Sequence, residues 1–410
     1  MKNRELDKII KLIASKIEGT EFENHTYVVG GFVRDLLLRN ERNDLDFVVN
    51  LPQGGIKLAT FLYKKRLSYR PVIYKRFGTA MVQMRGHKIE FVMTRVESYE
   101  EKSRHPEVGF ASLQEDAFRR DFTINAIYYN ISNRQIQDIT GLGRADLEKK
   151  LIRSTSNPDL IFQEDPLRIL RAVRFAARLN FSIEEKTLQG IIQWRDSLQH
   201  ISIERIKDEF INMILHQRFS QALQICFETK IVKYILPPLV NRQKESLKLT
   251  EKIDIYPPDL TIRLALLSLA VDDFEAMEKA IIKLTINKKL ARKSILIARN
   301  VRDLLNFTQI KHINKLVFNN LTTLLLALDI MKISFPEFDK HKLIVEKIEL
   351  FTKYPYPLNG KDIIDRLCLH KNQEIKYFTR LAKDVWVENP EMGKEEILAK
   401  IELINNKNRV

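Results

Sequence analysis

The sequence predicts an α+β head followed by a wholly helical remainder. Short apolar runs separated by glycine and polar turns recur between Tyr27 and Met93, which reads as strands alternating with short helices. Beyond Ile201, apolar residues repeat at i, i+3, i+4 with few glycines, the pattern of packed helices. At 410 residues the chain exceeds one ordinary domain and points to roughly two to four modules.

With 44% hydrophobic and 30% charged residues, the composition is that of a folded soluble protein. Lys and Arg number 68 against 53 Asp and Glu, a formal net charge of +15, which favours a polyanionic partner. Cys226 and Cys368 lack metal-ligand spacing and read as buried thiols of a reducing compartment. No apolar run is long enough to span a membrane, and the polar start Met1-Lys2-Asn3-Arg4-Glu5 is not a signal peptide. A cytoplasmic protein without a membrane partner is expected.

Taken in order, Leu6, Ile9, Ile10, Leu12, Ile13 and Ile17 mark an amphipathic helix over residues 5–17, expected to pack on the first sheet. Tyr27–Val29 is a short buried strand. Gly30 and Gly31 follow it and lead into a helix over Phe32–Leu38, so they sit where free N–H groups favour phosphate. Arg34, on the first turn, could add a fork of donors to the same anion. The next strand carries Asn43-Asp44-Leu45-Asp46-Phe47-Val48-Val49, in which the period of two puts Asp44 and Asp46 on one face. Adjacent carboxylates repel, and a pair of hard divalent cations, two Mg²⁺, would offset that charge. They would also activate an attacking hydroxyl and steady a leaving pyrophosphate. The plainer alternative is a turn Asp and a solvated strand Asp; the Gly-Gly cradle just upstream favours the metal.

Gly30-Gly31-Phe32-Val33-Arg34-Asp35-Leu36-Leu37 with Asp44-Leu45-Asp46 resembles class II tRNA nucleotidyltransferases and bacterial poly(A) polymerases, within the superfamily of polymerase β. Further along, Ile56–Arg66 reads as a helix and Pro71–Tyr74, Thr79–Met84 and Lys88–Met93 as strands. Glu90 is either a solvated strand residue or, as the resemblance implies, a third catalytic acid. Phe77-Gly78-Thr79-Ala80 is similar to the tRNA nucleotidyltransferase pattern, and the basic Gly-Arg-Arg-Phe-type sequence associated with poly(A) polymerases is missing. Residues 94–115 form a polar connection, long enough to be functional.

Glu115-Asp116-Ala117-Phe118-Arg119-Arg120-Asp121-Phe122-Thr123-Ile124-Asn125-Ala126-Ile127 is similar to the family's second motif. It offers Arg120 for phosphate and Asp121 and Asn125 for a ribose, although the last two could equally cap a helix. The turn Asp138–Leu147 resembles the third motif. In Glu164-Asp165-Pro166-Leu167-Arg168, Asp165 reads as an N-cap and Pro166 as the first helical residue. Arg168, Arg171 and Arg174 recur every three residues as one cationic ridge, without the interspersed acids that usually relieve such repulsion. The resemblance makes Asp165 and Arg168 the nucleotide-selecting pair. Cytosine and adenine both present an exocyclic amino donor beside a ring-nitrogen acceptor. A carboxylate and a guanidinium together therefore suit either base and reject uracil and guanine, where both polarities reverse. Ile203–Glu209 resembles a fifth motif, read as a salt-bridged brace.

The resemblance implies a five-stranded mixed sheet with helices in a polymerase-β-like head over residues 1–147. It implies a helical neck bearing the selecting helix over 148–218, a body over 219–330 and a tRNA-binding tail over 331–410. The implied function is addition of C, C and A to tRNA from CTP and ATP by a two-metal mechanism. CC-only, A-only or poly(A) addition and a non-catalytic RNA-binding scaffold stand as alternatives. Lys-rich helices around 280–315 are candidates for tRNA backbone contact.

Overall fold

The head is organised by a mixed sheet whose strands are, in chain order, β1 (Thr26–Val29), β2 (Asp46–Val49), β3 (Val72–Tyr74), β4 (Thr79–Met84) and β5 (His87–Met93). After a separate hairpin of β6 (Arg95–Ser98) and β7 (Glu107–Phe110), the sheet resumes with β8 (Ile127–Asn130) and β9 (Ile136–Asp138). These strands come from a computed structural model that describes residues 2–42, 45–98, 107–306, 321–335, 346, 349–370 and 372–407. The sheet has seven strands in the order β3-β4-β5-β2-β1-β8-β9. The expected five are therefore extended by β8 and β9, which follow the second motif directly. Among the described residues of this sheet, only β2 and β5 pair in parallel.

The register sets one line of residues across this sheet. Val72 is opposite Met81, Met81 opposite Glu90 and Glu90 opposite Asp46. Asp46 is opposite Val29, and Val29 opposite Tyr128. Directly paired residues share a face, so Asp46 and Glu90 project from the face that also carries Val29 and Tyr128. One residue on, Phe47 and Phe91 stack on the other face with ring centroids 5.0 Å apart.

Helices cover the sheet where the apolar periodicity requires. In α1 (Lys2–Ile17), Leu6, Ile9, Ile10, Ile13 and Ile17 are buried. The short helix α2 (Gly31–Leu37) follows β1. Helix α3 (Gly54–Lys64) buries Leu58, Ala59 and Leu62 and approaches β5 so closely that a Cβ at Gly55 would lie 2.4 Å from the Phe91 carbonyl oxygen. Helix α4 (Leu113–Phe118) is started by a capping box between Ser112 and Glu115. Its Ala117 packs with Tyr27, Val29, Val48 and Tyr128 on the carboxylate face. Residues 94–115 are thus not an irregular tether: they form the β6–β7 hairpin and the start of α4, with 99–106 outside the described residues.

Helices α5 (Gly143–Lys149), α6 (Pro158–Glu164), α7 (Leu167–Leu179), α8 (Glu185–Trp194) and α9 (Ile203–Ile214) continue the chain. Asp138 accepts from the Gly143 and Arg144 amides and so opens α5. The residues divide into two units, Met1–Met213 with Gln224–Tyr234, and Ile214–Leu223 with Ile235–Val410. In the second, the described residues form helices without strands. Its largest fully buried side chain, Arg263, donates to the carbonyls of Ile214, His216, Tyr256 and Pro257 at 2.6–3.3 Å. It satisfies carbonyls that the helix end at Ile214 leaves over.

Candidate active site

Asp46 opens β2 as an exposed residue, although the rest of that strand is buried. Glu90 is exposed beside it on β5. A parallel pair puts these two carboxylates about 5 Å apart at the backbone, where the oxygen-only donor set suits a hard divalent cation. Asp44 lies outside the described residues. Among the described residues no group of three or more His, Cys, Asp or Glu could hold a metal, so the acid pair alone is one carboxylate short of the expected set. Just across the register, β1 ends at Gly30. Its φ of +76° with ψ of −141° is a conformation that favours glycine.

Arg34 departs from its expected role. Its side chain is only 3% exposed and lies inside the head. Nε and Nη2 donate to the two Asp35 carboxylate oxygens at 2.9 and 3.0 Å, and Nη1 to Asn125 Oδ1 at 2.8 Å. A Cβ at Gly31 would sit 3.3 Å from Nη2, so that glycine accommodates the inward guanidinium. The fork is engaged by Asp35 and Asn125, which makes Arg34 a brace of the glycine turn rather than an anion donor.

The second motif folds around Asp116, an acid within it to which the sequence reading gives no role. Asp116 is fully buried. It accepts from Arg119 at 2.7 Å, Arg120 at 2.8 Å, the Tyr128 hydroxyl at 2.7 Å and the Arg95 amide at 3.3 Å. Burial alone would raise its pKa; Arg120 and Arg119, with the Tyr128 hydroxyl, hold it well below the usual carboxylate range. Arg120, expected at phosphate, is thus oriented by Asp116 and lies over the Tyr128 ring at 5.4 Å. The signal was present in the sequence: Asp116 stands three and four residues before two arginines, helical spacing for ion pairs. What the sequence did not show is that Tyr128 on β8 closes over them.

Asp121 is buried too, so it does not cap an α-helix at the surface. Its Oδ1 accepts from the Phe122 amide and Asn125 Nδ2, and its Oδ2 from Arg171 at 2.6 and 2.9 Å. Burial would raise this carboxyl; Arg171 and Asn125 hold it below its ordinary value.

On α7 the three arginines do not form an unrelieved cationic ridge. Arg168 donates to Glu164 at 2.6 Å and to the Ile161 and Arg119 carbonyls. Arg171 is held by Asp121, with Glu209 at 3.7 Å, and Arg174 is bound to Glu209 at 2.5 Å. The relieving acids come from α6, the second motif and α9 rather than from α7 itself. Arg34, Arg171 and Arg174 also surround the Phe175 ring at 4.4–5.4 Å. Asp165 keeps its capping bond, Oδ1 accepting from the Leu167 amide, while Oδ2 accepts from Arg205 at 2.8 Å. The fifth motif therefore braces α7 through Arg205 and Glu209, as read.

Residues 26–153 match the poly A polymerase head domain, and residues 180–242 a probable RNA- and SrmB-binding site of polymerase A. A CCA-adding enzyme of Lactobacillus johnsonii is 37% identical over 233 residues, 56% of either chain. The tRNA nucleotidyltransferase cca1 of Schizosaccharomyces pombe is 31% identical over 271 residues, 62% of this chain and 54% of that one. The chain thus spans little more than half the length of the curated relatives it matches. Among solved structures, the Bacillus stearothermophilus CCA-adding enzyme in complex with CTP superposes with a TM-score of 0.74 at 25% identity, covering 97% of both chains. A tRNA nucleotidyltransferase complexed with a primer tRNA and an incoming ATP analog gives 0.63 at 25% identity, over 84% of this chain and 99% of that one. No helix among the described residues is long and apolar enough to cross a membrane. Nucleotidyltransferases with this head generally use divalent metals. The head motifs and these likenesses agree: the chain resembles poly A polymerase heads over residues 26–153 and CCA-adding enzymes over little more than half their length.

Proposed function

We propose that the chain adds C, C and A to the 3′ end of tRNA, taking nucleotides from CTP and ATP without a nucleic-acid template. The observation that carries this is the exposed Asp46–Glu90 pair at the centre of a poly A polymerase head. In the reaction the terminal ribose hydroxyl of the RNA bonds to the α-phosphorus of the incoming nucleotide, and pyrophosphate leaves. Asp46 and Glu90, with Asp44, would hold two Mg²⁺ ions. The chemistry these supply when bound is activation of the hydroxyl and neutralisation of the leaving pyrophosphate. Asp116 and Tyr128 hold Arg120 ready for the triphosphate. Gly30 and Gly31 leave backbone N–H groups open to it.

Asp165 and Arg168 select the base by accepting from the exocyclic amine and donating to the ring nitrogen. They are stored in ion pairs with Arg205 and Glu164, so a nucleotide must exchange for those partners, and only a base offering both complementary groups repays it. Asp121 and Arg171 tie this helix to the second motif. The four-part division at residues 147, 218 and 330, with tRNA held by the helical half, belongs to the same reading. So does a cytoplasmic setting; of the two cysteines expected to be buried, Cys226 is buried but Cys368 is exposed. The test is incubation of the pure chain with tRNA lacking its CCA end, each labelled nucleotide singly and together, and Mg²⁺. Ordered incorporation of C, C and A supports the proposal; repeated A addition to any RNA end would make the chain a poly(A) polymerase instead.

A further inference from the structure

The outer edge of the catalytic sheet carries an exposed aromatic and basic surface that the acid site does not use. Segment 63–77 contains Lys64, Lys65, Arg66, Arg70, Lys75 and Arg76 and no acid, and all six cations are exposed. Among the described residues none of them is in an ion pair. Between them Tyr63, Tyr69, Tyr74 and Phe77 are 40–72% exposed, and Val72 is 50% exposed. Charged residues on an edge strand are common, because they deter pairing with other chains. That explains the cations but not the aromatics, which make an edge more adhesive. Rings spaced among cations, without an acid, fit a chain of phosphates bearing unstacked bases.

The register gives this surface a direction. Val72 lies in the residue line that runs through Met81 and Glu90 to Asp46, and Tyr74, two residues on, shares its face. Three strand spacings of about 4.8 Å put Val72 about 14 Å from Asp46, the reach of a short stretch of nucleotides. We infer that this edge is a binding surface for the single-stranded 3′ end of the RNA being extended, with Tyr74 stacking on a base and Arg70, Lys75 and Arg76 on its phosphates. The inference rests on the proposed nucleotide addition at Asp46 and Glu90.

The test uses the full chain, with a tRNA lacking its CCA end as primer. Combined Arg70→Ala, Lys75→Ala and Arg76→Ala should raise the primer KM about tenfold and leave the CTP KM within about twofold. The slope of log affinity against log salt, measured without nucleotide, should shrink by about 2. Tyr74→Ala should weaken primer binding where Tyr74→Phe does not, because the ring and not the hydroxyl stacks. A 4-thiouridine within the last three nucleotides of the primer should crosslink to segment 63–77 of the wild-type chain. An unchanged primer KM and salt slope, a crosslink confined to other segments, or equal weakening toward a blunt RNA duplex each overturns the inference. If wild type binds primer but adds no nucleotide, the proposed activity fails; the salt slope and crosslink still decide the surface by themselves.

Discussion

Asp46 and Glu90 are exposed neighbours on β2 and β5, whereas Arg168, Arg171 and Arg174 on α7 are each bound to an acid from another element. The two regions carry charge for different ends. Exposed carboxylates contribute little packing, so their replacement should harm reaction and spare stability. The arginines are already compensated, so removing their partners should harm the fold first. Between these extremes sits Asp165, whose two oxygens serve a helix cap and an exposed arginine.

The largest effect should come from the sheet. Asp46→Ala is expected to lower nucleotide addition at least about a thousandfold while changing stability by less than about 0.5 kcal/mol. Steady-state addition and a thermal melt on the same preparation measure both. Turnover within tenfold of wild type would remove Asp46 from the reaction.

Asp116→Asn should show the converse. Removing one member of a buried ion pair leaves Arg119 and Arg120 uncompensated, a loss of about 3–5 kcal/mol. The pH dependence has a definite sign. Arg119 and Arg120 depress the folded-state pKa of Asp116 below its unfolded value. Its stabilising effect is thus complete above about pH 4 and is lost as pH falls toward the folded value. Denaturation of wild type and variant should differ by a constant amount from neutral pH to about pH 5, with the gap closing only in stronger acid. A gap that narrows between pH 7 and 5 would mean the carboxylate is not held by its arginines.

What was legible in the sequence follows the same division. Period-two alternation and two glycines were enough to place Asp46 and the turn before α2, because strand geometry and φ > 0 are local properties. The bond of Arg34 to Asn125 and the partner of Arg171 were not legible. Asn125 lies 91 residues from Arg34 and Asp121 lies 50 from Arg171, and no local pattern says which distant side chain an arginine will meet. Strands β8 and β9 were hidden in a stretch read for its charged motif, though Ile127-Tyr128-Tyr129 has strong strand propensity. The hairpin was missed because its polar strands lack an apolar stripe.

A smaller effect, on selectivity, separates α7 from the sheet. Arg168→Ala should remove the donor that penalises a ring N–H and so relax discrimination against UTP by about ten- to a hundredfold, from about 1–3 kcal/mol per mispaired group. The overall rate should also fall, since Arg168 binds the Arg119 carbonyl beside Arg120. Competition assays with CTP and UTP give the ratio directly. Full discrimination in the variant would reduce Arg168 to a strut between α6 and the second motif.

The smallest effect should come from Arg205. Its side chain is 49% exposed and its bond to Asp165 is that of a surface ion pair, worth no more than about 1 kcal/mol. Arg205→Ala should therefore barely move the melting temperature. Its consequence for selection depends on what Asp165 does when the arginine is gone. If the pair only stores the carboxylate between turnovers, releasing it removes a competitor for the incoming amino group, and the KM for both CTP and ATP should fall by up to about fivefold, with selectivity kept. If Arg205 instead aims the carboxylate during base reading, the Leu167 amide alone will not fix its orientation, and discrimination against UTP and GTP should weaken with the KM unchanged or higher. Storage is the reading supported here, because the Leu167 amide and Arg205 engage different oxygens of Asp165. A fall in KM at constant selectivity bears it out; a rise in UTP incorporation assigns Arg205 to the selecting site itself.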